Sequence, residues 1–205
     1  MDEEGLDALT MRALGKRLGV EGMSLYNHVR RKADLQAGIV DLLWEEVERS
    51  LTDGDGWRDS LRSLARRLRA LAIDHPHAFP LLMSASAFAE PMLRAAGHAL
   101  AVLRDAGFDE QRATKALNAA LGYAAGYGAM EISCFATRPG GRDGADEFEG
   151  LVEFMRALPP DTPPDLVRVA RDCCMCDTDE QFEFGLDALL AGLDPACKTH
   201  EDKSR

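Results

Sequence analysis

A chain of 205 residues with 46% apolar but only 6% aromatic content can form one domain or two, and it favours helices packed through Ala and Leu. A net charge of −11 excludes a protein that coats nucleic acid nonspecifically, because that needs a basic surface throughout; a regulator with its basic charge gathered in one module remains open. Five cysteines without paired framework spacing, no N-terminal secretory signal, and a longest uncharged run (residues 116–130) too short to span a bilayer point to a reduced, cytoplasmic protein outside the membrane.

Residues 10–32, TMRALGKRLGVEGMSLYNHVRRK, carry the punctuation of two short helices around a tight turn. Thr10 suits the N-cap of a helix running to about Leu18, with Leu9 and Leu14 as a hydrophobic staple. Gly19 accepts the left-handed conformation that ends such a helix, and Val20 is expected to fold back on Leu14 and Leu18. A second helix is predicted over residues 22–29. Its Leu25 and Val29 would pack on the first helix, leaving Gly22, Met23, Ser24, Asn27 and His28 outward. In a helix-turn-helix the second helix enters the DNA major groove, and its N-terminal residues meet base edges. Arg12, Lys16, Arg17, Arg30, Arg31 and Lys32 face only one acid, Glu21, a surplus that suits a phosphate backbone. A helical pair with a solvated basic surface would need the same pattern.

The segment from Leu9 to Ile39, above all LGVEGMSLYNHVRRKADL, resembles the DNA-binding domain of the tetracycline-repressor (TetR) family, with Gly19, Val20, Leu25, Tyr26, His28, Val29 and Lys32 on its pattern positions. The resemblance implies that Arg12, Gly22, Met23, Ser24, Asn27 and His28 face the groove and that Thr10, Tyr26 and Lys32 hold phosphates. Gly22 has no side chain to read a base, so readout should fall on Arg12, Met23, Ser24 and Asn27. Family members have a full helix before the DEEGL-like turn, whereas MDEEGLDA begins inside its last turn. The first helix therefore reads as truncated, the natural start is expected upstream of Met1, and Leu14, Leu18 and Leu25 should lose part of their cover.

A third helix is predicted from Lys32 to Arg49 on the stripe Leu35, Ile39, Leu42, Leu43 and Val47, and residues 53–56, DGDG, mark a boundary. Trp57, Leu61, Leu64, Leu68 and Leu71 form the next stripe, with Arg58, Arg62, Arg66, Arg67 and Arg69 read mostly as a solvated face rather than a second nucleic-acid patch. His75-Pro76-His77 ends that helix and is read as a loop, not a metal site. Pro91 suits the first turn of a helix with Leu93, Ala96, Leu100 and Leu103 inward, closed by Gly107 with Phe108 folded onto Leu103. Asp109 should cap a long helix to about Phe135, whose Ala and Gly residues, Gly122, Gly126 and Gly128 among them, imply a close neighbour. Residues 138–146 and 159–165 read as loops flanking a short helix with Phe148, Leu151, Val152 and Met155. A last helix from Glu180 to Leu193 would bury Phe182, Leu186, Leu189, Leu190 and Leu193.

The segment QFEFGLDALLAGL is similar to the C-terminal regulatory domain of the same family, which implies that the long and final helices pair with their copies in a homodimer. In tetracycline-binding members a His and polar partners hold the drug and its magnesium; the resemblance puts Leu82 at that His, Leu64 at an Asn and His98 at the one polar match. A magnesium-tetracycline effector is therefore not expected, and neither a cofactor nor a resident metal is assigned. An apolar pocket lined by Leu64, Leu68, Leu82, Met83, Phe88, Leu117 and Leu121 with His98 would suit a small hydrophobic molecule, though the same residues could fill a solid core.

Cys173, Cys174 and Cys176 raise a thiol or metal sensor as an alternative, and loss of DNA binding through the missing first helix raises a helical dimer as another. An enzyme is not indicated, since no base and orienting group accompany a nucleophile. The reading is an all-α, one-component transcription regulator acting as a repressor. It has a helix-turn-helix domain at residues 1–49, a helical ligand-binding and dimerisation domain at 57–194 and a polar tail at 195–205. Its partners would be a pseudo-palindromic double-stranded operator, a second copy and an apolar effector that shifts the population away from the DNA-binding arrangement.

Overall fold

The structure is a computed structural model that describes residues 5–6, 9–51, 56–84, 89–137, 156–165, 167–168 and 178–193, the side chains of 134–137 excepted. Helix α1 (Met11–Leu18) begins as its sequence predicts, with the Ala13 amide donating to Thr10 Oγ1 at 3.1 Å. Gly19 ends it at φ 68°, and the Gly15 carbonyl accepts both the Gly19 amide and the Val20 amide, the latter at 2.9 Å. The expected apolar closure does not follow. Leu18 and Val20 remain 60% and 46% exposed, because the turn is held by these backbone bonds and no described element covers the two side chains.

Helix α2 is shorter than predicted, Gly22–Leu25, and continues to residue 28 as tight turns in which Tyr26, Asn27 and His28 each donate to the carbonyl three residues back. Gly22 does not face outward. A Cβ there would lie 3.2 Å from the Met11 carbonyl oxygen and 3.3 Å from the Arg12 Cα, and one on Gly15 would lie 2.8 Å from the Val20 oxygen and 2.9 Å from the Gly22 nitrogen. Two glycines thus let α1 and α2 touch backbone to backbone.

Helix α3 spans Lys32–Arg49 as predicted, and Asp34 accepts the Arg31 amide at 3.1 Å at its start. Its buried face is Val40, Leu43, Trp44 and Val47, whereas Leu42 is 62% exposed. One residue step turns a helix by about 100°, so Leu42 leaves the face that Leu43 shares with the core. Helix α4 (Gly56–Asp74) buries Trp57, Leu61, Leu64, Leu68 and Leu71 as predicted; residues 52–55 lie outside the described residues. Helix α5 is Phe79–Ser84, and α6 runs from Glu90 to Asp105 with Pro91 in its first turn. The inward row of α6 is Pro91, Ala95, Ala99 and Leu103; Leu93 is 53% exposed, because the small alanines rather than the leucines let α6 settle on its neighbours. Gly107 (φ 95°) closes α6, and the Phe108 amide reaches the Leu103 carbonyl at 3.1 Å.

Asp109 caps α7 (Glu110–Thr137) through the Arg112 amide at 2.8 Å, and the helix ends two residues beyond the expected end. Trp57 meets Phe108 edge-on at 5.0 Å at one end, and a Cβ on Gly128 would meet the Ala72 Cβ at 2.6 Å at the other, so α4 and α7 run in the same direction. Gly128 thus has the close neighbour expected, while Gly122 and Gly126 have open space above them within the single chain. Helix α8 (Thr178–Gly192) buries Phe182, Leu186 and Leu190 and lies antiparallel on α7, Tyr123 stacking on Phe182 at 5.3 Å. Thr162 closes a turn on the Pro159 carbonyl, and residues 164–165 are already helical, so the loop predicted at 159–165 is only partly one. The other predicted loop at 138–146, the helix with Phe148, Leu151, Val152 and Met155, and the tail at 195–205 lie outside the described residues.

Gly15→Ala tests the close approach of α1 and α2. Alanine favours a helix by about 1 kcal/mol, but overpacking costs about 1–3 kcal/mol, so the substitution should destabilise. Faster amide exchange in α1 and α2 is the expected sign, and unchanged exchange would mean that the backbones need no such contact.

Candidate nucleic-acid interface and its regulatory core

The short α2 and the turns after it put Met23 (75% exposed), Ser24, Tyr26, Asn27 and His28 on one exposed segment. Arg12 joins them from α1, because the missing Gly22 side chain brings its backbone against α2. Thr10 is exposed at the start of α1; its oxygen is occupied as the cap, and its proton is left to donate outward. The Ser24 hydroxyl donates to the Glu21 carbonyl at 2.7 Å, which holds that oxygen at the head of the segment. Lys32 is exposed and donates to the Leu6 carbonyl at 3.0 Å, with further ammonium protons to offer. Of the nine residues singled out for DNA, eight are exposed, and Gly22 is half-buried against α1.

The residues singled out for a ligand divide. Leu64, Leu68, Leu82 and Leu117 are buried in one apolar cluster, Leu121 packs partly against it, and His98 is half-buried. Met83 is 47% exposed: with Leu82 turned inward, the next residue of the six-residue α5 points away. Phe88, Cys173, Cys174 and Cys176 lie outside the described residues.

Of the arginines of α4, Arg58 and Arg66 are exposed as expected, Arg62 and Arg67 are half-buried and Arg69 is not on the solvated face at all. Arg67 pairs with Glu46 of α3, Arg66 with Glu183 of α8 at 2.7 Å and Arg62 with Asp187 of α8 at 2.6 Å. Arg69 is buried. Its guanidinium donates to both carboxylate oxygens of Glu131 on α7, at 2.7 and 2.6 Å, and to Asp179 of α8 at 2.7 Å, over the rings of Phe182 and Tyr127. Burial pulls the Arg69 guanidinium down, but the hydrogen bonds to Glu131 and Asp179 outweigh it and hold the group above its ordinary range, so it stays charged. Arg69 stands in the row Ala65, Arg69, Ala72, whose alanines are fully buried, and only the packed structure shows that this row faces inward.

Burial likewise raises the Tyr123 and Tyr127 phenols. They stay protonated and donate to the Phe182 and Thr178 carbonyls at 2.9 and 3.1 Å. Arg94 of α6 clasps Glu48 of α3 at 2.7 and 3.0 Å, and this hydrogen bond holds the Glu48 carboxyl below the usual carboxylate range.

Residues 51–196 match the model of the tetracyclin repressor-like C-terminal domain, behind a two-helix head with an exposed second helix. The chain belongs to the TetR family. Regulators of this family bind operator DNA as dimers and bind small-molecule effectors; they are not enzymes. The tetracycline repressor protein class A from transposon 1721 of Escherichia coli is 30% identical over 94% of this chain and 84% of its own length. A crystal structure of a possible TetR family transcriptional regulator from Streptomyces coelicolor A3(2) superposes with a TM-score of 0.75 at 32% identity, covering 94% of this chain and 92% of that one. ActR from Streptomyces coelicolor, a TetR family protein crystallised in complex with actinorhodin, gives 0.67 at 25% identity over 94% and 90%. The chain is a transcriptional regulator of this kind, and its secondary structure is all-α among the described residues, as expected. No described helix is long and apolar enough to cross a membrane.

The clasp between Glu48 and Arg94 should be visible in acid. A folded value below the unfolded one means that its stabilisation is present above the ordinary carboxylate range and is lost as pH falls through the lowered value. Glu48→Gln should therefore reduce the loss of urea midpoint between neutral pH and pH about 3. An acid limb identical to that of the parent chain would show that the clasp is not maintained in solution.

Proposed function

We propose that the chain is a homodimeric, one-component repressor that reads a pseudo-palindromic operator and is released by a small apolar effector. The observation that carries the DNA reading is the shared exposure of Met23, Ser24, Tyr26, Asn27 and His28 on one segment beside Arg12, in the basic stretch of an otherwise acidic chain. Arg12, Met23, Ser24, Asn27 and His28 meet bases, and Met23 offers an apolar surface to a thymine methyl. Thr10, Tyr26 and Lys32 hold phosphates, and Gly22 serves the helix contact instead. The reading domain is residues 1–49 and the regulatory domain 57–194.

Two copies join through α7 and α8. Phe184 is 78% exposed with Ala188 and Ala191 beside it on α8, and the open glycines Gly122 and Gly126 with Met130, 49% exposed, lie on α7. A two-fold pairing of these faces supplies two reading heads, which is why the operator is taken as pseudo-palindromic. The effector enters the core around Leu64, Leu68, Leu82, Leu117 and Leu121. Buried leucines at Leu64 and Leu82 favour an apolar molecule over a metal chelate, and ActR, crystallised with actinorhodin, supports an organic ligand. Binding that prefers a core with badly spaced heads lowers DNA affinity by its differential free energy.

The test is fluorescence anisotropy with DNA flanking the chain's own gene, in a salt series. Affinity should fall steeply as salt rises; Tyr26→Phe and Lys32→Ala should weaken every sequence alike, while Asn27→Ala should cost about 1–3 kcal/mol at particular base pairs. Salt-independent binding, or none, sinks the DNA reading. Phe184→Glu should leave the helical content intact and give a monomer in sedimentation; a dimer of unchanged affinity would place the subunit contact elsewhere.

A further inference from the structure

Asp179, Glu183 and Asp187 recur every four residues along α8, and α4 meets them in reverse order with Arg69, Arg66 and Arg62. The two outer rungs are open to water on at least one side, where screening leaves such pairs little weight. The inner rung differs. Arg69 and Glu131 are 7% and 2% exposed, so α4 and α7 share a buried bidentate pair; Asp179, its own side chain 74% exposed, joins the start of α8 to the same guanidinium from the outside.

A buried pair of this kind is weak support for stability, because apolar side chains of similar volume often serve as well. It is strongly directional, however. The planar fork matches one carboxylate pose, and its carbon lies 4.7 Å from the Phe182 ring centre and 5.4 Å from that of Tyr127. Beside it the hydroxyls of Tyr123 and Tyr127, one turn apart on α7, reach carbonyls one turn apart on α8. Gly185 leaves room for the Tyr123 hydroxyl, which a Cβ there would overlap. A slide of α8 by one turn would offer Arg69 another acid and the tyrosines another carbonyl, but it would take the Phe182 ring from the guanidinium and the Gly185 gap from the Tyr123 hydroxyl, whereas Leu186 and Leu190 alone would tolerate it. Phe184 follows Phe182 by two residues, about 200° round the helix, so the face that Arg69 grips and the face left exposed are opposite sides of α8.

We infer that Arg69 is a positioning residue: held by its fork on Glu131, the guanidinium seats the Phe182 ring and reaches Asp179, which sets the register of α8 on α4 and α7 and thereby where the Phe184 face is presented to a second copy of the chain. The inference rests on the homodimer reading above. Arg69→Met combined with Glu131→Leu removes both charges and leaves neither buried alone. In the full-length chain this pair of substitutions should keep the helical circular dichroism and the unfolding midpoint. It should raise the dimer dissociation constant about tenfold, and α8 amides should exchange faster at concentrations where both proteins are dimers, with α4 and α7 unchanged.

Arg69→Lys, which keeps the charge but not the fork, should move both readouts in the same direction and serves if the double variant does not fold. Parental dimer affinity and α8 protection in the variant that folds would overturn the inference. A parental chain that sediments as a monomer sinks the homodimer reading by itself, and the α8 exchange rates then decide the register claim separately.

Discussion

Arg69 carries a full positive charge into the place where Gly128 lets α7 come close to α4, next to Ala72. It is tolerated there because Glu131 occupies both sides of its fork and Asp179 a third position, with aromatic faces in contact with the guanidinium plane. Removing one partner would strand a charge in the core, at a cost of about 3–5 kcal/mol. The packing of three helices is therefore conditional on one another: α7 supplies the carboxylate, α8 the lid, and α4 the cation.

The same helix looks both ways. Arg62, Arg66 and Arg69 point to α8, which bears the exposed Phe184, while Arg67 reaches back to Glu46 near the end of α3, the helix that begins at the edge of the reading head. Glu46 and Glu48 sit near a helix C-terminus, where the peptide dipoles disfavour acids, and arginines from α4 and α6 compensate them. This end of α3 is pinned from two sides. Movement between α4 and α6 has a direct physical route into α3, through these ion pairs as well as through the buried face of Val40, Leu43, Trp44 and Val47.

The head has a separate logic. Its two helices touch through Gly15 and Gly22 with hardly any side chains between them, so the side chains of α2 and its turns are released for contact with something else. A basic stretch on so acidic a chain favours phosphate at this end, the end proposed to meet DNA.

The sequence by itself determined the helices whose ends are chemical: the Thr10 and Asp109 caps, the Gly19 and Gly107 stops, and the leucine row of α4, because capping and helical periodicity are local. It also determined the family and most of the exposed residues proposed to meet DNA. Tertiary structure decided which side of each helix is inside. Leu42, Leu93 and Met83 lie outside, because a leucine or methionine near an apolar row is inside only if a neighbouring helix arrives there. It likewise decided the Gly15–Gly22 contact and the fate of Arg69. A glycine shows in sequence only that a side chain is missing, and an arginine only that a charge is present; the backbone that fills that space and the Glu131 that meets that charge, 62 residues away, exist only once the helices have packed.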